Sequence, residues 1–359
     1  MSIGKNTVVL TPTSGLASRR LVELLALDCL FFEFCRVIVL ASFSKQEGTL
    51  TMTDMQNLPR QPLAEVFGYP VDNFSPQADR YRRLKLCPFH NKVPNCTKSR
   101  AKNPIGVCSV YDVKHAATIT CPIRFREDWY IAEHAASFFF PQGVNFTSLT
   151  EVRLNDKYGK AAGNIDIVLV SYDETGHLID FSSLEVQAVY ISGTISAPFN
   201  HYISDPVKNA SFDWRKHENY PRPDYLSSSR KRLAPQLIYK GGILHAWKKK
   251  MAVAVDSQFF ATLPPMETVA KENAELVWLV YDLKHDPIEN RRRLTLTRSV
   301  YTRFLPALDK ITKSEPGNMG EFIYLLQAKL DEALATGSGT GLTPDARSLQ
   351  SEDIEDIIE

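Results

Sequence analysis

The chain has 359 residues, 44% of them hydrophobic, with 42 Lys and Arg against 41 Asp and Glu for a formal net charge of +1. This is enough apolar material for one large domain with extensions or two modest ones, and it excludes a small fold held by disulfide staples. A near-neutral total does not exclude a nucleic-acid partner, because only the contact face has to be basic.

Residues 21–43 are apolar but carry Glu23, Asp28, Glu33 and Arg36, which argues for an amphipathic helix and against a membrane span. No secretory signal is visible, so a cytoplasmic location without membrane contact is expected. Residues 1–54 join poorly to the rest and read as an uncertain N-terminal extension, with Met52 or Met55 as the alternative start. Residues 55–80, punctuated by Pro59, Pro62, Pro70 and Pro76, predict irregular or short-helix structure. Residues 87–122 hold Cys87, Cys96, Cys108 and Cys121 among Pro, Asn, Lys and Ser, too few apolar residues to pack without a cross-link. Residues 55–125 are therefore read as one cysteine segment.

From 126 to 335 the pattern becomes regular and predicts a single domain. Residues 127–140 have apolar side chains at helical spacing and end at Pro141. Residues 149–154 read as a short strand, 164–172 as a strong one, 173–177 as a hairpin turn and 178–191 as a second long strand. Residues 192–225 show no period. Residues 226–247 read as a helix despite Pro235, Gly241 and Gly242. Strands follow at 252–263, 275–284 and 292–301, then an amphipathic helix at 320–334. Residues 336–359 end in Glu352, Asp353, Glu355, Asp356 and Glu359 and read as a disordered acidic tail. The order predicts an α/β fold, a mixed central sheet flanked by helices.

Asp166 lies inside one long predicted strand, and Glu185 and Gln187 inside the next. In a strand, residues i and i+2 share a face. The hairpin centred near 175 sets Asp166 opposite residue 184, give or take one, so Asp166 and Glu185 are expected within reach of each other. Two acids among Ile165, Ile167, Leu184 and Val186 are costly unless a cation binds them. Hard oxygen ligands, including the backbone carbonyl beside Glu185, suit Mg²⁺, which activates a water and stabilises charge on an attacked phosphate. Glu151, fifteen residues before Asp166 in the preceding strand, is a candidate to hold a second metal or a ligating water. The bland reading is ordinary strand-edge acids.

The cysteines contain no Cys-x-x-Cys pair, so spacing leaves open both buried free thiols and a tetrahedral thiolate site for Zn or Fe. Positive charge is concentrated at 208–250. Arg230, Lys231 and Arg232, with Gln236 and Lys240 at helical spacing behind them, are candidate DNA contacts; Arg215, Lys216 and Arg222 in the long loop are others. A solvated charged face is the plain alternative.

An Asp followed by Glu-x-Lys on adjacent strands resembles the PD-(D/E)xK nuclease superfamily, with Gln187 here in place of the lysine. A closer resemblance is to the NotI-type restriction endonucleases, over roughly residues 60–335. It is carried by Cys87-Pro88-Phe89, the lone Cys96, Gly106-Val107-Cys108, Cys121-Pro122, the Asp166 strand and Glu185-Val186-Gln187. The resemblance implies a PD-(D/E)xK-like core and a Mg²⁺-dependent type II endonuclease acting on double-stranded DNA. Asp166 and Glu185 would ligate the metal, Gln187 would stand in for the lysine and Glu151 would be a helper acid. It further implies structural iron, or alternatively Zn, on the four cysteines. A palindromic site, a homodimer and a cognate DNA methyltransferase in a restriction–modification system follow by the same analogy. The rival reading is a DNA-binding protein that does not cut, carrying only the thiolate-metal site; Gln187 is the feature in its favour.

Overall fold

Two β-sheets carry the architecture, a large mixed one and a small antiparallel one. The computed structural model describes residues 57–90, 93–98 and 102–336. The N-terminal extension expected at 1–54, and the acidic tail beyond residue 336, lie outside the described residues. The chain clusters into two units, Met1–Leu308 and Asp309–Glu359. The second contains one long helix, Met319–Ala335, whose apolar side chains Phe322, Ile323, Leu330 and Leu334 are exposed. No described helix is long and apolar enough to cross a membrane.

The small sheet has the order β2-β1-β3-β4, with β1 at Leu63–Val66, β2 at Tyr69–Pro70, β3 at Val107–Tyr111 and β4 at Ala117–Ile119. The prolines that suggested irregular structure at 55–80 flank these short strands, and Pro70 sits on the edge strand, where no ladder N–H is missed. Leu63, Val66, Val107 and Val110 bury together with Phe199 and Tyr202. The C-terminal half of the cysteine segment thus packs through Val107 and Val110 against residues outside it as well as within it. Ile119 joins the main core, so residues on either side of 125 share one hydrophobic cluster.

The large sheet has the order β12-β11-β10-β7-β6-β5. Its members are β5 (Phe146–Asn155), β6 (Ala161–Tyr172), β7 (Leu178–Gln187), β10 (Met251–Asp256), β11 (Leu276–Asp286) and β12 (Arg291–Thr302). β10 runs parallel to both β7 and β11, and the other pairs are antiparallel. The mixed α/β architecture expected from the sequence is the one observed. Ile167, Leu169, Leu184, Val186, Ala252 and Leu279 face one core. Helix Tyr130–Phe139 buries Ile131, Ala135 and Phe138 in that same core. Ile165, Val168 and Val170 face the other way, against Ile243.

Two expected strands end early and one expected helix starts late. The strand of 178–191 stops at Gln187; Tyr190–Ser192 (β8) instead pairs with Arg222–Asp224 (β9). The strand of 252–263 stops at Asp256, whose carboxylate accepts the N–H groups of Gln258 and Phe259 and so caps the short helix Ser257–Phe260. The helix of 127–140 starts only at Tyr130, because Asp128 and Trp129 take left-handed backbone angles after a 3₁₀ segment.

Between β9 and β10 the chain is helical over 225–246, the element expected at 226–247. It widens into π-turns at Ser229–Leu233 and Leu237–Gly241, on either side of Pro235, which has no N–H to give an α-helical ladder. A buried ion cluster, not foreseen in the sequence, ties the small sheet to β12. Arg124 Nε pairs with Glu65 Oε2 at 3.1 Å, its Nη1 with Glu127 Oε2 at 2.7 Å, and its Nη2 donates to the Arg292 carbonyl at 2.8 Å. Burial works against the guanidinium charge, and the two glutamates more than offset it, so Arg124 stays ionised.

Candidate active site

The β6–β7 ladder ends at the pair Ile167–Leu184, one step short of Asp166 and Glu185. Continued, that register sets residue 166 opposite residue 185. Where the ladder ends, the Asp166 side chain takes over: its Oδ2 accepts the Val186 N–H at 2.9 Å. Glu185 and Gln187, two apart on β7, are both wholly buried, and Asp166 is half-buried. Burial first, and then the Asp166 carboxylate, push Glu185 up to about 8, against the pull of Lys240. The two acids therefore act on one another from the same side of the sheet.

That side is covered by the 225–246 helix, whose residues 232, 236 and 240 meet the end of β7 in three places. Arg232 Nη2 donates to the Val186 carbonyl at 3.3 Å. Gln187 Nε2 donates to Gln236 Oε1. Lys240 Nζ donates to Glu185 Oε2, and to the Asn164 carbonyl at 2.9 Å. Lys240 is 4% exposed. The sequence correctly put Gln236 and Lys240 on one helix face, but that face packs on the carboxylates. Lys240, named as a candidate DNA contact, is therefore buried against Glu185 rather than presented on an open basic helix face.

A Cβ on Gly241 would stand 2.6 Å from the Phe304 ring, so a glycine there lets the helix pack closely on Phe304; Gly163, in the Lys240 stem's path, is required by its own backbone at φ +118°. Two buried polar atoms of the site have no hydrogen-bond partner: Glu185 Oε1 and Gln187 Oε1.

Glu151 occupies the position on β5 beside Asp166, between the pairs Thr150–Ile167 and Val152–Ile165. Its backbone is left-handed there (φ 58°) and its side chain is exposed. Among the described residues no three His, Cys, Asp or Glu side chains converge tightly enough to hold a metal, so Glu151 does not complete a three-acid set with Asp166 and Glu185.

The four cysteines come from two hairpin-like turns. In one, Cys87 N–H donates to the Pro94 carbonyl at 2.7 Å and Cys96 N–H to the Lys85 carbonyl at 2.8 Å. In the other, Thr120 N–H donates to the Cys108 carbonyl at 3.0 Å, joining the ends of β3 and β4. Cys87, Cys96, Cys108 and Cys121 are free thiols and line one cavity with Phe67 and Arg124. Burial pushes the Cys87 thiol up to about 12 and raises Cys96 and Cys108 as well.

With this geometry established, the family comparison is decisive. The family model for Restriction endonuclease NotI matches residues 65–294. The chain belongs to the NotI restriction endonuclease family. The match spans the cysteine turns, Asp166, Glu185 and the helix that bears Lys240. Membership makes the protein a site-specific DNA-cleaving enzyme, and DNA its substrate. No curated protein matches the chain.

The remaining basic residues divide by burial. Arg230, Lys231 and Lys216 are exposed. Arg215 is half-buried and held bidentate by Asp213, with Nη2 to Oδ2 at 2.6 Å. Arg222 sits in β9, opposite Ser192. The sequence named Lys240 as a candidate DNA contact but gave no sign of its pairing with Glu185.

Proposed function

We propose that this NotI-family protein is a Mg²⁺-dependent type II endonuclease built on a PD-(D/E)xK-like core, with Asp166 and Glu185 as the metal ligands. The observation that carries the reading is Glu185 itself. It is a wholly buried acid beside a second acid, with one carboxylate oxygen bound to Lys240 and the other bare. A divalent cation fits this donor set: it supplies the missing partner for Glu185 Oε1 and removes the repulsion that raises the Glu185 pKa. Carboxylate oxygens at the end of two strands suit Mg²⁺ rather than a soft metal. When bound, such a metal activates water and stabilises charge on the attacked phosphate. Gln187 cannot supply positive charge; it ties β7 to the covering helix through Gln236. Glu151, beside Asp166, is a helper acid in this reading.

Exposed Arg230, Lys231 and Lys216, with Arg215 and Arg222, make the phosphate-contacting face in this account. A palindromic target, a homodimer whose two-fold matches it, and a partner methyltransferase complete the proposal by family analogy. The cysteine cavity is proposed, by the family resemblance, to hold structural Fe or Zn: thiols are soft donors suited to either metal, and all four line this one cavity, although they do not stand in a closed ligand set here.

Incubation of a purified preparation with genomic DNA tests the function. Discrete fragments are expected with Mg²⁺ and none with chelator. Asp166→Asn is expected to slow cutting by on the order of 10³-fold, equivalent to about 4 kcal/mol in the barrier, while DNA binding persists. A gel shift with no fragments under any divalent metal would establish the non-cutting alternative.

A further inference from the structure

We propose that Lys240, delivered by the 225–246 helix, is the positively charged group of the active site and replaces the strand lysine whose place Gln187 occupies. The inference rests on the nuclease reading of Asp166 and Glu185 and assigns a further residue to that site. Among the described residues Lys240 is the only lysine that is fully buried. An ammonium has three N–H donors. Two are engaged, by Glu185 Oε2 and the Asn164 carbonyl. The third is left for a substrate oxygen.

The surrounding structure is shaped to hold the amine there. The Lys240 stem passes over Gly163, with its Cδ 3.7 Å from where a Cβ would stand. Gly241 lets the helix come close to Phe304. One turn earlier, Gln236 holds Gln187, so the strand position that would carry the lysine is tied to the helix that does carry it. The charge thereby reaches Glu185 from the covering helix instead of from β7.

In hydrolysis, water adds to phosphorus and the P–O bond to the leaving sugar oxygen breaks. The proton lost by the water passes to solvent, and the sugar oxygen takes one up. Lys240 stays an ammonium throughout. It opposes the negative charge that builds on the phosphoryl oxygens, a role whose removal costs about 10²–10³-fold in comparable sites. It has a second consequence. A cation beside Glu185 repels a bound metal, so losing it does not weaken metal binding.

The test is single-turnover cleavage as a function of Mg²⁺ for the wild type, Lys240→Met, Lys240→Gln and each combined with Gln187→Lys. The expected result for Lys240→Met is a rate down about 10²-fold, with the Mg²⁺ midpoint unchanged or lower and DNA binding retained. Gln187→Lys is expected to return at least about tenfold of that rate. Lys240→Gln, which keeps hydrogen bonding but not charge, should behave like Lys240→Met, and it decides the matter if the methionine variant folds poorly. Rates within about threefold of wild type in either variant would overturn the proposal. So would full recovery of rate at high Mg²⁺, which marks a merely structural role. A folded double variant with no gain, or failure of both single variants to fold that Gln187→Lys does not reverse, would also overturn it. If the wild type itself does not cut, the nuclease reading fails instead, a result these variants do not imitate.

Discussion

Two buried acids, Glu185 and Asp256, have carboxyls raised by burial, to about 8 and about 7. For Asp256, N–H groups from Ile119, Phe259 and Gln258 pull the other way without cancelling the effect. Both acids bind protons in the folded state that the unfolded chain has already released. Their contribution to stability is therefore full below the ordinary carboxylate range and is lost as pH rises through about 7 and then about 8. The melting temperature of metal-free protein should fall across that window. Glu185→Gln and Asp256→Asn should each flatten the fall, and Mg²⁺ should reverse the Glu185 part. A metal-free melt that rises through the window would contradict the assignment. At this scale the sequence was informative where the chemistry is local. The hairpin at 173–177 placed Asp166 against Glu185 to within a residue, since a tight turn fixes register. Lys240 was legible only as a charged helix residue, because burial of an amine depends on what packs over it, and its partner is 55 residues away.

Short elements were read less well than long ones, for a physical reason. β6, β7 and β11 are 12, 10 and 11 residues long, enough for an apolar strand pattern to stand out. β1 to β4 are two to five residues each, too short for a period to emerge, and their order depends on pairing across 40 residues of chain. The cysteine turns are of this kind. Spacing along the chain gave no ligand pattern, yet two turns bring the four thiols to one cavity. If the cavity binds a structural metal, Cys108→Ser should lower metal content per chain and cost at least about 2 kcal/mol, a fall of roughly 4–8 °C in Tm. An unchanged melt in a preparation with no bound Fe or Zn would remove the metal from the account. The apolar contacts of Val107 and Val110 would then hold the turns alone.

Topology explains why the site assembles. β7 and β10 are parallel neighbours, so the chain between them must cross over one face of the sheet. The 225–246 helix lies on that crossover. It necessarily packs on the face that carries Asp166, Glu185 and Gln187, since the opposite face is filled by the core beneath Tyr130–Phe139. The basic helix that the sequence offered as one DNA-contacting face is thereby split. Its inner side, at 232, 236 and 240, completes the acid site, while Arg230 and Lys231 stay in solvent. The mixed sheet flanked by helices was foreseeable from the order of elements. The parallel insertion of β10 between β7 and β11 was not, because strand order is decided by which faces can be buried together. The most direct measurement is anomalous diffraction from crystals soaked in Mn²⁺, a carboxylate-binding stand-in for Mg²⁺. The account predicts a peak bridging the carboxyl groups of Asp166 and Glu185. A saturated crystal with no density between them, or with the ion held by other residues, would contradict it.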